Sequence, residues 1–217
     1  MNRVSKVIWN SLLPQSPVFS TATVAELAGI GLPVASRDLA KLEREGVVTR
    51  ITRGLWAVPT HPDFSPYAVV PRLFTERPGG YVSLLSALNL HGMIEQIPRV
   101  VHVVATRQRP HLDTPVGTYE FYRIQPALFD GFQPYLRTGN FDIATPEKAL
   151  FDTLYFSARK GRRFRFLPEI GLPEGFSAPG LKRWIRQVDY EPLRIAVQER
   201  WQRLAEGNRL LLGSSAR

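Results

Sequence analysis

The stretch PVASRDLAKLEREGVVTRITRGLWAV, running from Pro33 to Val58, decides the reading of the fold. Its first half has a helical period: at about 100° per residue, Ala35, Leu39 and Leu42 share one face. Arg37, Lys41 and Arg44 fall on the opposite side, with Ser36 on the flank. Pro33 at the start and Gly46 at the end bracket this helix. In the second half, Val47 to Ile51 and Leu55 to Val58 read as two short strands. They are joined by Thr52-Arg53-Gly54, where the glycine supplies the positive φ of a tight hairpin. A basic helix face taken alone is an ordinary solvated surface. Followed at once by a hairpin carrying Arg50 and Arg53, it reads as the recognition helix and wing of a winged helix-turn-helix, whose outer face suits a DNA major groove.

Upstream, Val4, Val7, Ile8 and Leu12 recur at helical spacing until Pro14 and Pro17 stop the pattern. Thr23-Val24-Ala25-Glu26 reads as the capping box of a second helix, which Gly29 and Gly31 end. Residues 1–60 are therefore expected to form a DNA-binding domain. Pro59, His61, Pro62, Asp63 and Pro66 mark a boundary, and residues 61–217 read as a second, larger domain. There the expected elements are helices over 67–76 and Ser83 to His91, the latter capped by Ser83 and ended by Gly92. Strands are expected at 100–106, 118–124 and 141–144. Thr145-Pro146-Glu147 starts a helix that runs to Ala158: a capping hydroxyl, a proline at the first position and an acid against the dipole. Two further helices follow a Pro/Gly-rich stretch at 168–180, the last aligning Leu193, Val197, Trp201 and Leu204. The fold class is α+β, a mixed α/β chain.

Composition narrows the function. The 217 residues include 44% hydrophobic ones, enough for a sizeable core, and no cysteine. Disulfides, thiolate metal sites and cysteine nucleophiles are thereby excluded, and a reducing compartment fits. Arg3 and Lys6 precede too few apolar residues for a signal peptide, and no apolar run reaches a membrane span. The chain reads as cytoplasmic and soluble, with no membrane partner. Its net charge of +9 favours polyanionic partners. Residues 1–60 hold seven Lys/Arg against four Asp/Glu, so the charge is not confined to a basic tail.

Two further segments carry a resemblance. Tyr81-Val82-Ser83-Leu84-Leu85-Ser86-Ala87-Leu88-Asn89-Leu90-His91-Gly92 and Ile143-Ala144-Thr145-Pro146-Glu147-Lys148-Ala149-Leu150-Phe151-Asp152 are similar to the hallmarks of the AbiEi antitoxin family. The winged helix ending in Arg53-Gly54-Leu55-Trp56 resembles that family's DNA-binding domain. Together the resemblance runs roughly from Val4 to Phe156. It implies an abortive-infection antitoxin that is also a repressor, binding inverted repeats in the promoter of its own operon, with two copies on one repeat. It implies as partner system a nucleotidyltransferase-like toxin, not generally thought to need direct contact. The second domain is implied in antitoxicity and in assembly on DNA.

The remaining chemistry is sparse. Asp142, Glu147 and Asp152 could tempt an assignment as nuclease carboxylates, but no spacing ties them to one metal. Lys148 and Asp152, four apart, read as a surface ion pair. His61, His91, His102 and His111 are scattered, and His91 reads as a helix C-terminal residue. Neither a phosphate-binding loop nor a nucleophile elbow is present, so no cofactor, metal or catalytic residue is assigned and the chain is read as a non-enzyme. Ser36 and Arg37 are the expected readers of base edges. Lys41 and Arg44 would read bases or hold phosphates, and Arg50 and Arg53 would contact backbone or minor groove. Arg159, Lys160, Arg162, Arg163 and Arg165 form the densest basic cluster, with two readings open: a second phosphate-contacting patch, or a solvated loop. The alternative function, from another class, is a protein-interaction module that binds a toxin or other partner directly and uses the winged helix as scaffold. A DNA-processing enzyme is a third class.

Overall fold

The computed structural model describes residues 3–76, 78–135, 140–159 and 167–214, the side chains of 208–214 excepted. The chain divides into two compact units. The first comprises Met1–Gly80, His111–Tyr119 and Pro134–Asp142; the second comprises Tyr81–Pro110, Glu120–Gln133 and Ile143–Arg217. The segment read from sequence as the winged helix lies within the first unit, which also takes in residues 61–80, 111–119 and 134–142.

In the first unit, α1 (Arg3–Val7) passes directly into a π-turn (Ile8–Leu12), closed by Leu13 N donating to the Ile8 carbonyl at 3.0 Å. Strand β1 (Val18–Ser20), α2 (Thr21–Ala28), α3 (Leu32–Arg44), β2 (Thr49–Thr52) and β3 (Leu55–Ala57) follow. Gly29, at φ +61°, ends α2 in the left-handed conformation that glycine adopts without a Cβ penalty. α3 opens with a proline in its first turn and buries Ala35, Leu39 and Leu42, the expected stripe. These three join Val4, Ile8, Val24, Val48 and Trp56 in one apolar cluster. Gly54 turns the β2–β3 hairpin at φ +79°.

The structure departs from the sequence reading at three places here. The cap of α2 is Ser20, whose Oγ accepts from Thr23 N at 3.0 Å, so Thr23 stands inside the helix and its capping box with Glu26 does not form. Strand β1 was not anticipated: it pairs antiparallel with β3, Phe19 opposite Trp56, making a three-stranded sheet of order β1-β3-β2. Residues 67–76, expected as a helix, form instead a 3₁₀ segment at Pro66–Arg72, because Pro71 inside it removes an N–H that an α-helix needs.

The remaining strands are β4 (Tyr81–Val82), β5 (Val101–Ala105), β6 (Leu112–Thr114), β7 (Gly117–Arg123), β8 (Phe132–Tyr135) and β9 (Phe141–Ala144), in a sheet of order β6-β7-β5-β4-β9-β8. β4 is antiparallel to β5 and parallel to β9, with Val82 opposite both Val103 and Ile143. The expected strands correspond to β5, β7 and β9, while β4, β6 and β8 are additions. Helices α4 (Leu84–Leu90), α5 (Pro146–Ala158), α6 (Ala178–Arg186) and α7 (Glu191–Ser214) belong to the second unit. Thr145 caps α5 as expected, its Oγ1 accepting from Lys148 N at 3.3 Å. Ser83, at the start of α4, makes no side-chain cap; its hydroxyl is used elsewhere. The α+β class read from the sequence holds.

Candidate nucleic-acid interface

α2, the Gly29-Ile30-Gly31 turn and α3 are the helix-turn-helix, and β2 with β3 is the wing. The buried stripe of α3 leaves its other side to solvent. Ser36, Arg37, Lys41 and Arg44 are all exposed there, and Arg50 and Arg53 are exposed on the wing. The six residues assigned to DNA from the sequence thus lie on two neighbouring elements of one unit.

Their electrostatic states differ. Arg50 is engaged: its Nη2 lies 3.4 Å from Glu43 Oε2, its N–H donates to Glu43 Oε1 at 3.3 Å, and its guanidinium stacks 4.6 Å over Trp56. Trp56 is itself held by Nε1 donating to Thr21 Oγ1 at 2.8 Å. The wing is therefore tied to α3 through Glu43 and to the start of α2 through Trp56. Lys41 lies 4.0 Å from Glu45, an exposed and weak pair, and Arg44 Nε reaches only its own helix at the Ala40 carbonyl, 3.4 Å away. Among the described residues, no ion pair or hydrogen bond is made by the side chains of Arg37 and Arg53. Of the six assigned residues, these are the two guanidiniums whose donors are uncommitted among the described residues.

Of the basic cluster at 159–165, only Arg159 falls within the described residues; Lys160, Arg162, Arg163 and Arg165 lie outside them. Arg159 is exposed, donates to the Arg123 carbonyl at 3.2 Å and lies over the rings of Tyr155 and Phe156.

The second unit holds a group that sequence reasoning misplaced. Lys148 and Asp152, expected at the surface, are both wholly buried and joined at 2.5 Å. The other oxygen of Asp152 accepts from Tyr81 OH at 3.0 Å and from Ser83 Oγ at 2.7 Å. The Lys148 ammonium sits 4.9 Å from the ring centres of Phe151 and Trp184. Gly131 lets this cluster close, because a Cβ there would stand 2.6 Å from Trp184 Cζ2. Burial pushes the Asp152 carboxyl up and the Lys148 ammonium down, and their mutual attraction opposes both shifts. With every polar atom of the cluster satisfied and all four residues buried, it ties α5 to β4 and the start of α4 and is no exposed active centre. The signal that could have placed it is the run from Ala149 to Phe156, whose apolar residues surround α5 instead of forming one stripe.

Of the other carboxylates once weighed together, Glu147 accepts from Ser177 N at 2.8 Å, and Asp142 belongs to the first unit. No three His, Asp or Glu among the described residues come together to hold a metal ion. His91 caps the end of α4 and donates from Nε2 to the Ala144 carbonyl at 2.7 Å. No described helix is long and apolar enough to cross a membrane.

Comparison with known proteins bears on the winged helix. No curated protein matches the chain. Among solved structures it is similar to the RV2827C protein from Mycobacterium tuberculosis, at 17% identity and a TM-score of 0.47, over 90% of this chain and 69% of that one. The family described as "Transcriptional regulator, AbiEi antitoxin" matches residues 14–59, which span β1, α2, α3 and the hairpin. The similarity to that family is thus confined to the winged-helix segment, residues 14–59.

Proposed function

We propose that this protein is a sequence-specific repressor that binds double-stranded DNA at inverted repeats of its own operon, two copies to a repeat. It acts as the antitoxin of a system whose toxin is nucleotidyltransferase-like, and it does so without catalysis. Residues 1–60 supply the DNA contact, and residues 61–217 supply the antitoxin and regulatory part. The observation that carries this reading is the pair of uncommitted guanidiniums, Arg37 on α3 and Arg53 on the wing, in the segment that matches the regulator family. In this assignment Ser36 and Arg37 meet base edges, Lys41 and Arg44 meet bases or phosphates, and the wing arginines meet the backbone or minor groove. Arg50, already paired with Glu43, contributes less than Arg53.

The test is binding of the purified chain to duplex DNA from upstream of its own gene, against a scrambled duplex, at two salt concentrations. The operator is expected to be favoured by roughly a hundred-fold or more at the higher salt. Arg53→Ala is expected to weaken binding evenly across sequences and to lower the salt slope by about one. Equal, salt-sensitive binding of both duplexes overturns the repressor reading and leaves a module that binds a protein partner directly.

A further inference from the structure

We propose that Val34 reads the C5-methyl group of a thymine neighbouring the base read by Arg37, and that this apolar contact is how α3 recognises A·T pairs. The inference rests on the operator-binding reading above and specifies its chemistry. α3, with sequence LPVASRDLAKLER, contains neither asparagine nor glutamine, the side chains that hold adenine through two hydrogen bonds. Its polar groups point to other bases. Arg37 and Lys41 suit guanine, Asp38 suits the amino group of cytosine, and Ser36 discriminates little. What marks an A·T pair for such a helix is the thymine methyl.

Val34 is placed for that contact. It lies in the first turn of α3, the end that meets base edges when a recognition helix enters the major groove. Its side chain is exposed, at 38% of full accessibility, and stands three residues before Arg37, next to it on the helix surface. The Val34 N–H is held by the Gly31 carbonyl at 3.0 Å, and a β-branched side chain on a helix keeps essentially one rotamer, so its methyls are presented in one direction. Asp38, one turn further on the same side, disfavours phosphate there and leaves that edge of α3 to the bases. A single exposed valine needs no function. Leu32 of the same turn is also exposed, but it stands five residues before Arg37, about 140° around the helix from it, which leaves Val34 as the apolar side chain beside Arg37.

The experiment is a thymine scan. In duplexes covering the promoter of the protein's own gene, each thymine is replaced singly by deoxyuridine, which removes only the methyl group. At one position of each half-site the full-length protein is expected to bind about four-fold more weakly, as for one buried methyl-sized group. Val34→Ala, whose fold is checked by circular dichroism, is expected to lose that difference while still preferring the promoter to scrambled DNA. Selective binding that no deoxyuridine weakens overturns the proposal alone, as does an undiminished thymine preference in Val34→Ala. Equal binding of promoter and scrambled duplexes overturns the proposal together with the repressor reading.

Discussion

Lys41 and Lys148 each stand four residues before an acid on a helix, and the two regions of the molecule use the pair in opposite ways. On α3, Lys41 and Glu45 lie 4.0 Å apart, with 64% and 49% of their side chains exposed. At that distance in water the attraction is about 1 kcal/mol before salt screens it. Lys41 therefore loses little by exchanging Glu45 for a phosphate. On α5, Lys148 and Asp152 are wholly buried at 2.5 Å, and the leftover carboxylate oxygen takes Tyr81 and Ser83. Removing two charges from water costs several kcal/mol per ion, which only such close and complete partnering offsets. The solvated cation stays available to another partner, whereas the enclosed one is committed to the fold.

The largest effect that could break this contrast is in the interior. Lys148→Met strands the Asp152 carboxylate and is expected to cost about 3–5 kcal/mol of stability in urea unfolding. Adding Asp152→Leu is expected to restore much of it, since no buried charge then remains. A loss below about 1 kcal/mol in the single variant would mean that the pair is not enclosed as described.

A second interior base, His102, adds a pH dependence. Burial lowers the His102 imidazole from 6.5 to about 4. Between those values the unfolded chain takes up a proton that the native state resists. Stability is thus full above pH 6.5 and is lost as the pH falls to about 4, by about 3 kcal/mol. Denaturant titrations at several pH values check this, and His102→Asn is expected to flatten the profile over that window. A profile as steep in the variant as in the parent assigns the acid sensitivity to other groups.

The exposed cations sharpen the comparison from the other side. Arg37→Ala is expected to leave stability unchanged and to cost roughly 1–3 kcal/mol of operator binding, with relaxed preference at one base position. Tight, selective binding by that variant would remove Arg37 from the interface. The smallest effect concerns Lys41 itself: Lys41→Ala is expected to change urea stability by no more than about 0.5 kcal/mol. A larger loss would make its pair with Glu45 structural, like that of Lys148.

These two lysines also measure how much could be read before the structure. The stripe of α3, its outward arginines and the Gly54 turn were legible because period, helix ends and turn chemistry act within a few residues. The Thr145 cap of α5 was legible for the same reason, as the acceptor and the N–H it satisfies lie three residues apart. The cap of α2 was read as Thr23, and the backbone path out of β1 put Ser20 there instead. β1 itself, three residues long, exists because Phe19 finds Trp56 across the chain. β4 is shorter still, and it is held between β5 and β9.

The amino-acid sequence by itself determined the winged helix: which helix face is buried, which cations face outward and where the hairpin turns. These follow from local periodicity and backbone preference. The tertiary structure alone decided that Lys148 is enclosed while Lys41 is not, and that Arg50 is spent on Glu43 while Arg37 and Arg53 are not. The environment of a charge depends on what the rest of the chain packs around it, and the spacing of Lys148 and Asp152 carries no record of the Tyr81, Ser83 and Trp184 that close over them.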